Sequence, residues 1–116
     1  MVVAVCRVEL VIPGANSLKA KRMVLRSVLD RIRARFHVSI AEVGEQDTWQ
    51  RASVGFAVVS NDRSHVNSIA DQIVSAIGGA RDCYIADRAL EVISMGSTTQ
   101  DLAFRGEDIP DPEEQA

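Results

Sequence analysis

The chain has 116 residues, of which 47% are hydrophobic, 25% are charged and 4% are aromatic. This balance is typical of one globular domain with an aliphatic core. No apolar run approaches the roughly 18 residues that a membrane span requires, so we do not expect a membrane protein. The N-terminal residues MVVAVCRVEL also lack the basic start of a signal peptide. We therefore expect a cytoplasmic protein.

Charge divides the chain into two parts. Residues 1–100 carry twelve basic and ten acidic side chains, a net charge of +2, whereas residues 101–116 carry one Arg and six acids, a net charge of −5. Hydrophobic periodicity also stops after Gly96. We predict one folded domain over residues 1–96 and an acidic flexible tail over residues 97–116.

The first two elements have clear patterns. Val2 to Ile12 is rich in Val and has one fully apolar face, which is typical of a strand packed on a core. After Pro13-Gly14, the stretch from Ser17 to Phe36 has apolar residues at helical spacing. Ser17 is placed to be the N-cap of this helix.

The remaining elements complete a βαββαβ order. The predicted segments are a strand over His37–Val43, a strand over Arg51–Ser60, a helix over Ser64–Ile77 and a strand over Tyr84–Ser94. This order predicts an α+β, ferredoxin-like fold, with a four-stranded antiparallel sheet and both helices on one face. Right-handed connections place the first and third strands in the centre of the sheet.

Residue types that support catalysis are few. His37 and His65 have no second His, Cys or carboxylate at the spacing of a metal site or a catalytic triad. Cys6 and Cys83 have no metal-ligand spacing, and we expect two buried thiols rather than a disulfide. We therefore expect no enzyme activity, no metal, no cofactor and no small-molecule substrate.

The first helix carries seven of the thirteen Lys and Arg residues. Lys19, Arg22, Arg26 and Arg33 share one flank, and Lys21 points near the apolar stripe with its amine expected to reach outward. Like charges four residues apart on a helix cost a few tenths of a kcal/mol. This pattern favours binding to a polyanion such as RNA. The alternative is a solvated face that the acidic tail neutralises.

A second candidate surface lies on the third strand and the turn before it. Trp49 is the only Trp, and it either covers the end of the core or anchors a partner. Arg51, Gly55 and Ala57 lie on the sheet face opposite the helices, which is small and apolar at its centre. We predict a symmetric homodimer or another protein partner on this face.

Four ordered blocks resemble the YlxP-like family of bacterial proteins. They are SLKAKR at 17–22, FHVSIAEV at 36–43, DTWQR at 47–51 and AVVSND at 57–62. The family usually has Glu where Ala20 stands and Asn where His37 stands. The resemblance implies a ferredoxin-like fold and, through neighbouring translation and ribosome-maturation genes, a cytosolic role near RNA or the ribosome. It implies no catalytic residue.

These observations together predict a small binding protein whose basic first helix contacts RNA or a ribosomal particle. The alternative is a protein-interaction module that forms a homodimer through the open sheet face and binds no nucleic acid.

Overall fold

The computed structural model describes residues 1–96, which form six elements. In chain order they are β1 (Val2–Val11), α1 (Leu18–Phe36), β2 (Ser39–Gly44), β3 (Arg51–Ser60), α2 (Arg63–Gly78) and β4 (Tyr84–Ser94). The predicted order of elements is therefore confirmed. The predicted acidic tail, residues 97–116, lies outside the described residues.

The four strands form one antiparallel sheet in the order β2-β3-β1-β4. β1 pairs with β3 on one side and with β4 on the other, so β1 and β3 occupy the centre. This is the predicted ferredoxin-like arrangement. Neither helix in the described part of the chain is long and apolar enough to cross a membrane.

The core lies between the helices and one face of the sheet. Alternating residues of the two central strands face the helices and are buried. On the sheet these are Val2, Ala4, Cys6, Val8, Leu10, Ala52, Val54, Phe56 and Val58. The helices contribute Leu25, Val28, Leu29, Ile32, Val66, Ala70, Ile73, Val74 and Ile77.

Side chains cap both helices at their N-termini. Ser17 Oγ accepts a hydrogen bond from the N–H of Ala20 at 3.0 Å, as the sequence predicts. Asp62 Oδ1 accepts one from the N–H of Ser64, also at 3.0 Å, so α2 begins at Arg63, one residue before the predicted start. Each cap satisfies one N–H of a first turn that has no partner inside the helix.

The C-terminus of α1 corrects one predicted boundary. His37 has φ 53° and ψ 42°, a left-handed conformation, and its N–H donates to the carbonyl of Arg33 at 3.0 Å. This geometry ends the helix and turns the chain, so His37 caps α1 and the second strand starts two residues later, at Ser39.

Lys21 also lies where the sequence did not place it. Its side chain is 1% exposed, and its ammonium donates to the carbonyl of Glu45 and lies 3.0 Å from Oε2 of Glu42. Glu42 and the buried Ile40 lie two residues apart on β2, so both face the helices. The amine therefore points inward to this carboxylate, so the prediction that it reaches outward, where it could contact nucleic acid, is wrong.

The loop between β2 and β3 is held from several directions. Glu45 adopts a positive φ of 62°, and its carbonyl accepts hydrogen bonds from Lys21 and from the N–H of Thr48. At the other end of the loop, Gln50 Nε2 donates to the carbonyls of Ala15 and Pro13, at 3.2 and 3.3 Å. The loop is thus fixed to α1 and to the segment between β1 and α1.

We expect Lys21→Met to lower the free energy of unfolding by about 3 kcal/mol. The substitution leaves the Glu42 carboxylate without its counterion and the Glu45 carbonyl without a donor, and removing one partner of a buried ion pair costs about 3–5 kcal/mol. Glu42 remains partly exposed, which favours the lower end of that range. Urea denaturation measures this change.

The neighbouring Arg22→Met is the matched control, because Arg22 is exposed and this change should stay within about 0.5 kcal/mol of the native protein. The double variant Lys21→Met/Glu42→Gln should lose less than the sum of the two single changes, since it leaves no buried charge. Equal losses for Lys21→Met and Arg22→Met would contradict an anchoring role for this ammonium.

We expect His37→Gly to raise the free energy of unfolding by about 0.5–1 kcal/mol. A non-glycine residue in the left-handed region carries a cost of roughly 1–2 kcal/mol that glycine avoids, less the extra entropy that glycine loses on folding. His65→Gly is the control, because His65 lies in the first turn of α2 and is not among the positive-φ residues. This second change should lower the thermal midpoint, whereas equal effects at both positions would refute the argument.

Candidate functional site

One flank of α1 carries exposed positive charge. Lys19, Arg22 and Arg26 are exposed, and within residues 1–96 none of the three makes an ion pair or a side-chain hydrogen bond. Their spacing of three and four residues places them on neighbouring turns of the same flank, as the sequence predicts.

A shallow groove of about 210 Å³ runs beside this flank. It lies between α1 and β2, and its lining is Arg22, Leu25, Arg26, Leu29, Arg33 and Glu42. The floor includes the buried leucines of the helix, and the rim carries three guanidinium groups. The groove therefore combines apolar surface with a cluster of positive charge.

Arg33 belongs to this groove but has structural partners. Its Nη2 donates to the carbonyl of Ile40 on β2 at 2.7 Å, and its Nη1 lies 3.4 Å from Oδ1 of Asp30. Its side chain remains half exposed. Arg33 was predicted to act with the other cations of the flank. Its guanidinium instead joins α1 to the sheet through the Ile40 carbonyl, and fewer of its N–H groups remain for a ligand.

Glu42 is the acidic group of the groove, and its charge is opposed by the buried Lys21. The ammonium lies 3.0 Å from Glu42 Oε2 and forms an ion pair with it, but this oxygen accepts no hydrogen bond from residues 1–96. Because these two charges offset each other locally, Arg22 and Arg26 determine the sign of the potential in the groove.

The other basic residues of α1 lie toward α2. Arg31 Nη2 is 3.5 Å from the carbonyl of Ala76, and the guanidinium of Arg35 lies 4.9 Å from the centre of the Phe36 ring. This distance allows a cation–π contact. Arg31 and Arg35 thus form a second flank on the same helix, separate from the groove.

The predicted protein-binding patch is exposed at its ends and crowded at its centre. Trp49 is 52% exposed and Arg51 is exposed, so both are accessible. Gly55 and Ala57 are only partly exposed, and Val43 lies so close to Gly55 that an added Cβ would be 3.1 Å from its Cγ1. The side chain of Val43 on the edge strand therefore lies against Gly55, and the centre of the predicted patch is less exposed than its ends.

An apolar row lies elsewhere on the same face. Val3 is partly buried, and it lies directly opposite Val59 on one neighbouring strand and Ile93 on the other, which are 63% and 47% exposed. Farther along the same face, Ser53 Oγ donates to Glu9 Oε1 at 2.8 Å and Arg7 lies 3.2 Å from the same carboxylate oxygen.

The thiols and imidazoles show no arrangement typical of catalysis. Cys6 and Cys83 are buried, and burial raises the pKa of both thiols, although Arg88 and Arg31 respectively oppose the shift. A raised pKa disfavours the nucleophilic thiolate. Both histidines are exposed, and residues 1–96 contain no group of three or more His, Cys, Asp or Glu side chains that could hold a metal ion.

Glu42 and Val43 were not predicted to contribute to either surface, although the sequence contains a signal for Glu42. Strand alternation places Glu42 on the face directed at the helices, and helical spacing places Lys21 near the apolar stripe. Opposite charges at two core-facing positions indicate an ion pair. The contact of Val43 with Gly55 depends on the paired register of β2 and β3, which the sequence of one strand does not determine.

Comparisons with known proteins identify the family to which this chain belongs. A solution NMR structure of a de novo designed protein with a ferredoxin fold matches 84% of this chain and 91% of its own length, with a TM-score of 0.48 and 14% identity. The uncharacterized protein YlxP of Bacillus subtilis (strain 168) is 45% identical over 69 residues, which are 60% of this chain and 75% of that protein. The model of a family described as a protein of unknown function (DUF503) matches residues 3–89. The chain therefore belongs to the DUF503 family.

Proposed function

We propose that this protein binds RNA, either as a free molecule or within a ribosomal particle, through the groove between α1 and β2. The observation that carries the proposal is the set of three exposed cations, Lys19, Arg22 and Arg26, which lack an acidic partner within residues 1–96. The other charged residues of this region have partners: Lys21 pairs with Glu42, and Arg33 joins Asp30 and Ile40.

The stability of the fold does not explain why these cations lie close together on one helix. Arg22 and Arg26 are four residues apart on one helix, and such like-charge pairs destabilise a helix by a few tenths of a kcal/mol. A polyanion offsets that cost when it binds. Arginine is also suited to this ligand, because its planar guanidinium donates two parallel hydrogen bonds to a phosphate.

The spacing fits a backbone rather than an isolated anion. Lys19 and Arg26 are seven residues apart, about 10 Å along the helix axis. The centre of the open sheet face carries Val5, Arg7, Gly55 and Ala57, without the aromatic residues that stack on bases in sheet-based RNA readers. The proposal therefore assigns recognition to phosphate contacts, which carry little sequence information.

The test is the salt dependence of binding to a fluorescent single-stranded RNA. Three phosphate contacts predict a slope of about −2 for log K against log salt, since each contact on a single strand contributes about −0.7. Arg22→Gln/Arg26→Gln should reduce the slope by about 1.4 and weaken binding at low salt. Fluorescence anisotropy at several salt concentrations measures both quantities.

Arg31→Gln/Arg35→Gln is the matched control. It removes the same charge from the same helix, but on the flank that faces α2. Circular dichroism checks the fold of both variants, because Gln is a good helix former and neither pair lies in the core. Equal losses of binding in the two double variants would indicate a general charge effect and would reject the groove as the site.

The alternative is a homodimer through the open sheet face, and the apolar row of Val3, Val59 and Ile93 favours it. Val59→Glu would put a charge into this apolar row without disturbing the core, because Val59 is mostly exposed. We expect this change to convert a face-to-face dimer into a monomer in sedimentation experiments. A dimer that tolerates it would exclude packing through this row.

A further inference from the structure

The two edges of the sheet are unlike each other. β2 forms one edge with six residues, and its pairing with β3 is irregular between Glu42 and Gly44. Arg33 donates to the carbonyl of Ile40 at 2.7 Å, so a side chain occupies a main-chain acceptor of this strand. Short length, irregular register and a covering side chain are features that prevent another strand from pairing with an edge.

β4 forms the other edge with 11 residues. Met1 and Met95 exchange both main-chain hydrogen bonds, at 2.8 and 3.1 Å. Because hydrogen-bonded and non-hydrogen-bonded pairs alternate along antiparallel strands, residues 89, 91 and 93 also bond to β1. The N–H and C=O groups of the residues between them, Leu90, Val92 and Ser94, point away from the sheet.

The outward N–H and C=O groups of Leu90, Val92 and Ser94 have no hydrogen-bond partner among residues 1–96. The next residue of β4 with an outward N–H, Arg88, does have one. The N–H of Arg88 donates to Oδ1 of Asp87 at 2.9 Å. The pairing of β4 with β1 is irregular opposite Glu9 and Leu10, just before this point. The stretch that can accept a further strand therefore extends from about Ala89 to the end of β4.

We propose that β4 pairs antiparallel with β4 of a second copy, with a two-fold axis at Val92, so that two sheets join into one of eight strands. In this register Val92 faces Val92 of the partner subunit, and Leu90 faces Ser94 of the partner subunit. The three residues with outward N–H and C=O groups thus form three hydrogen-bonded pairs. Leu90, which is 43% exposed, is also covered.

The alternative registers are less favourable, because they place like charges opposite each other, need an N–H group that is already bonded, or extend past the end of the strand. An axis at Glu91 would place two Glu91 carboxylates opposite each other, and an axis at Ala89 would place Asp87 opposite Glu91 of the partner subunit. An axis at Leu90 needs the N–H of Arg88, which Asp87 already occupies. An axis at Ile93 would place Leu90 opposite Gly96 of the partner subunit, beyond the end of the strand. This inference does not depend on RNA binding.

The test uses single cysteine substitutions in the full chain. A hydrogen-bonded pair on a two-fold axis places its Cα atoms, and also its Cβ atoms, about 5.5 Å apart, which is too far for a direct disulfide but within reach of a short bifunctional thiol reagent. Val92→Cys should therefore give a cross-linked dimer with such a reagent, and Leu90→Cys should not, because its two copies lie four residues out of register. The native Cys6 and Cys83 are buried, so the unsubstituted chain should stay uncross-linked. Cross-linking at position 90 instead of 92 would overturn the register.

Sedimentation of the full chain measures the dimer directly. Leu90→Pro removes an outward N–H and should raise the dimer dissociation constant on the order of 100-fold, because two hydrogen bonds are lost per dimer. Leu90→Thr keeps the N–H and should remain dimeric, as should Val59→Glu. A native monomer at tens of micromolar without cross-linking of Val92→Cys, or a dimer that Val59→Glu disrupts and Leu90→Pro does not, would overturn the proposal.

Discussion

The ammonium of Lys21 is a full positive charge in the interior, and three parts of the fold meet at it. It comes from the first turns of α1, it faces a carboxylate on β2, and it donates to a carbonyl in the loop that follows. Removing this charge from water costs several kcal/mol unless such partners surround it. The positions of Glu42 and Glu45 are therefore tied to that of the helix, and the loop that presents Trp49 is tied to both.

The seven cations of α1 have different roles in the structure, and the buried position of Lys21 is one of them. Lys21 stabilises the interior, Arg33 joins the helix to the edge strand, and Arg31 and Arg35 lie toward α2. Lys19, Arg22 and Arg26 differ from these four residues, because they are exposed and have no ion-pair partner within residues 1–96. A count of positive charges on the helix overstates the binding surface, because four of its seven cations lie in the interior, contact the edge strand or face α2.

Periodicity was enough to predict the elements and the core, since alternation along β1 and helical spacing along α1 each follow from one short segment. The sheet order followed from the handedness of the connections. The turn at His37 was missed because a left-handed residue other than glycine leaves no compositional signal. The direction of the Lys21 amine and the cover over Gly55 depend on which residues of distant segments come together, and these contacts arise from packing rather than from local pattern.

The Arg33 contact with the Ile40 carbonyl also bears on how far a sheet of this kind can grow. A sheet with two available edges can add copies at each end and extend into a fibre, as cross-β assemblies do. If β4 pairs as proposed while Arg33 occupies the β2 edge, two joined copies leave no second β4 edge for a third. In that assembly one guanidinium on the helix would limit growth to a closed pair.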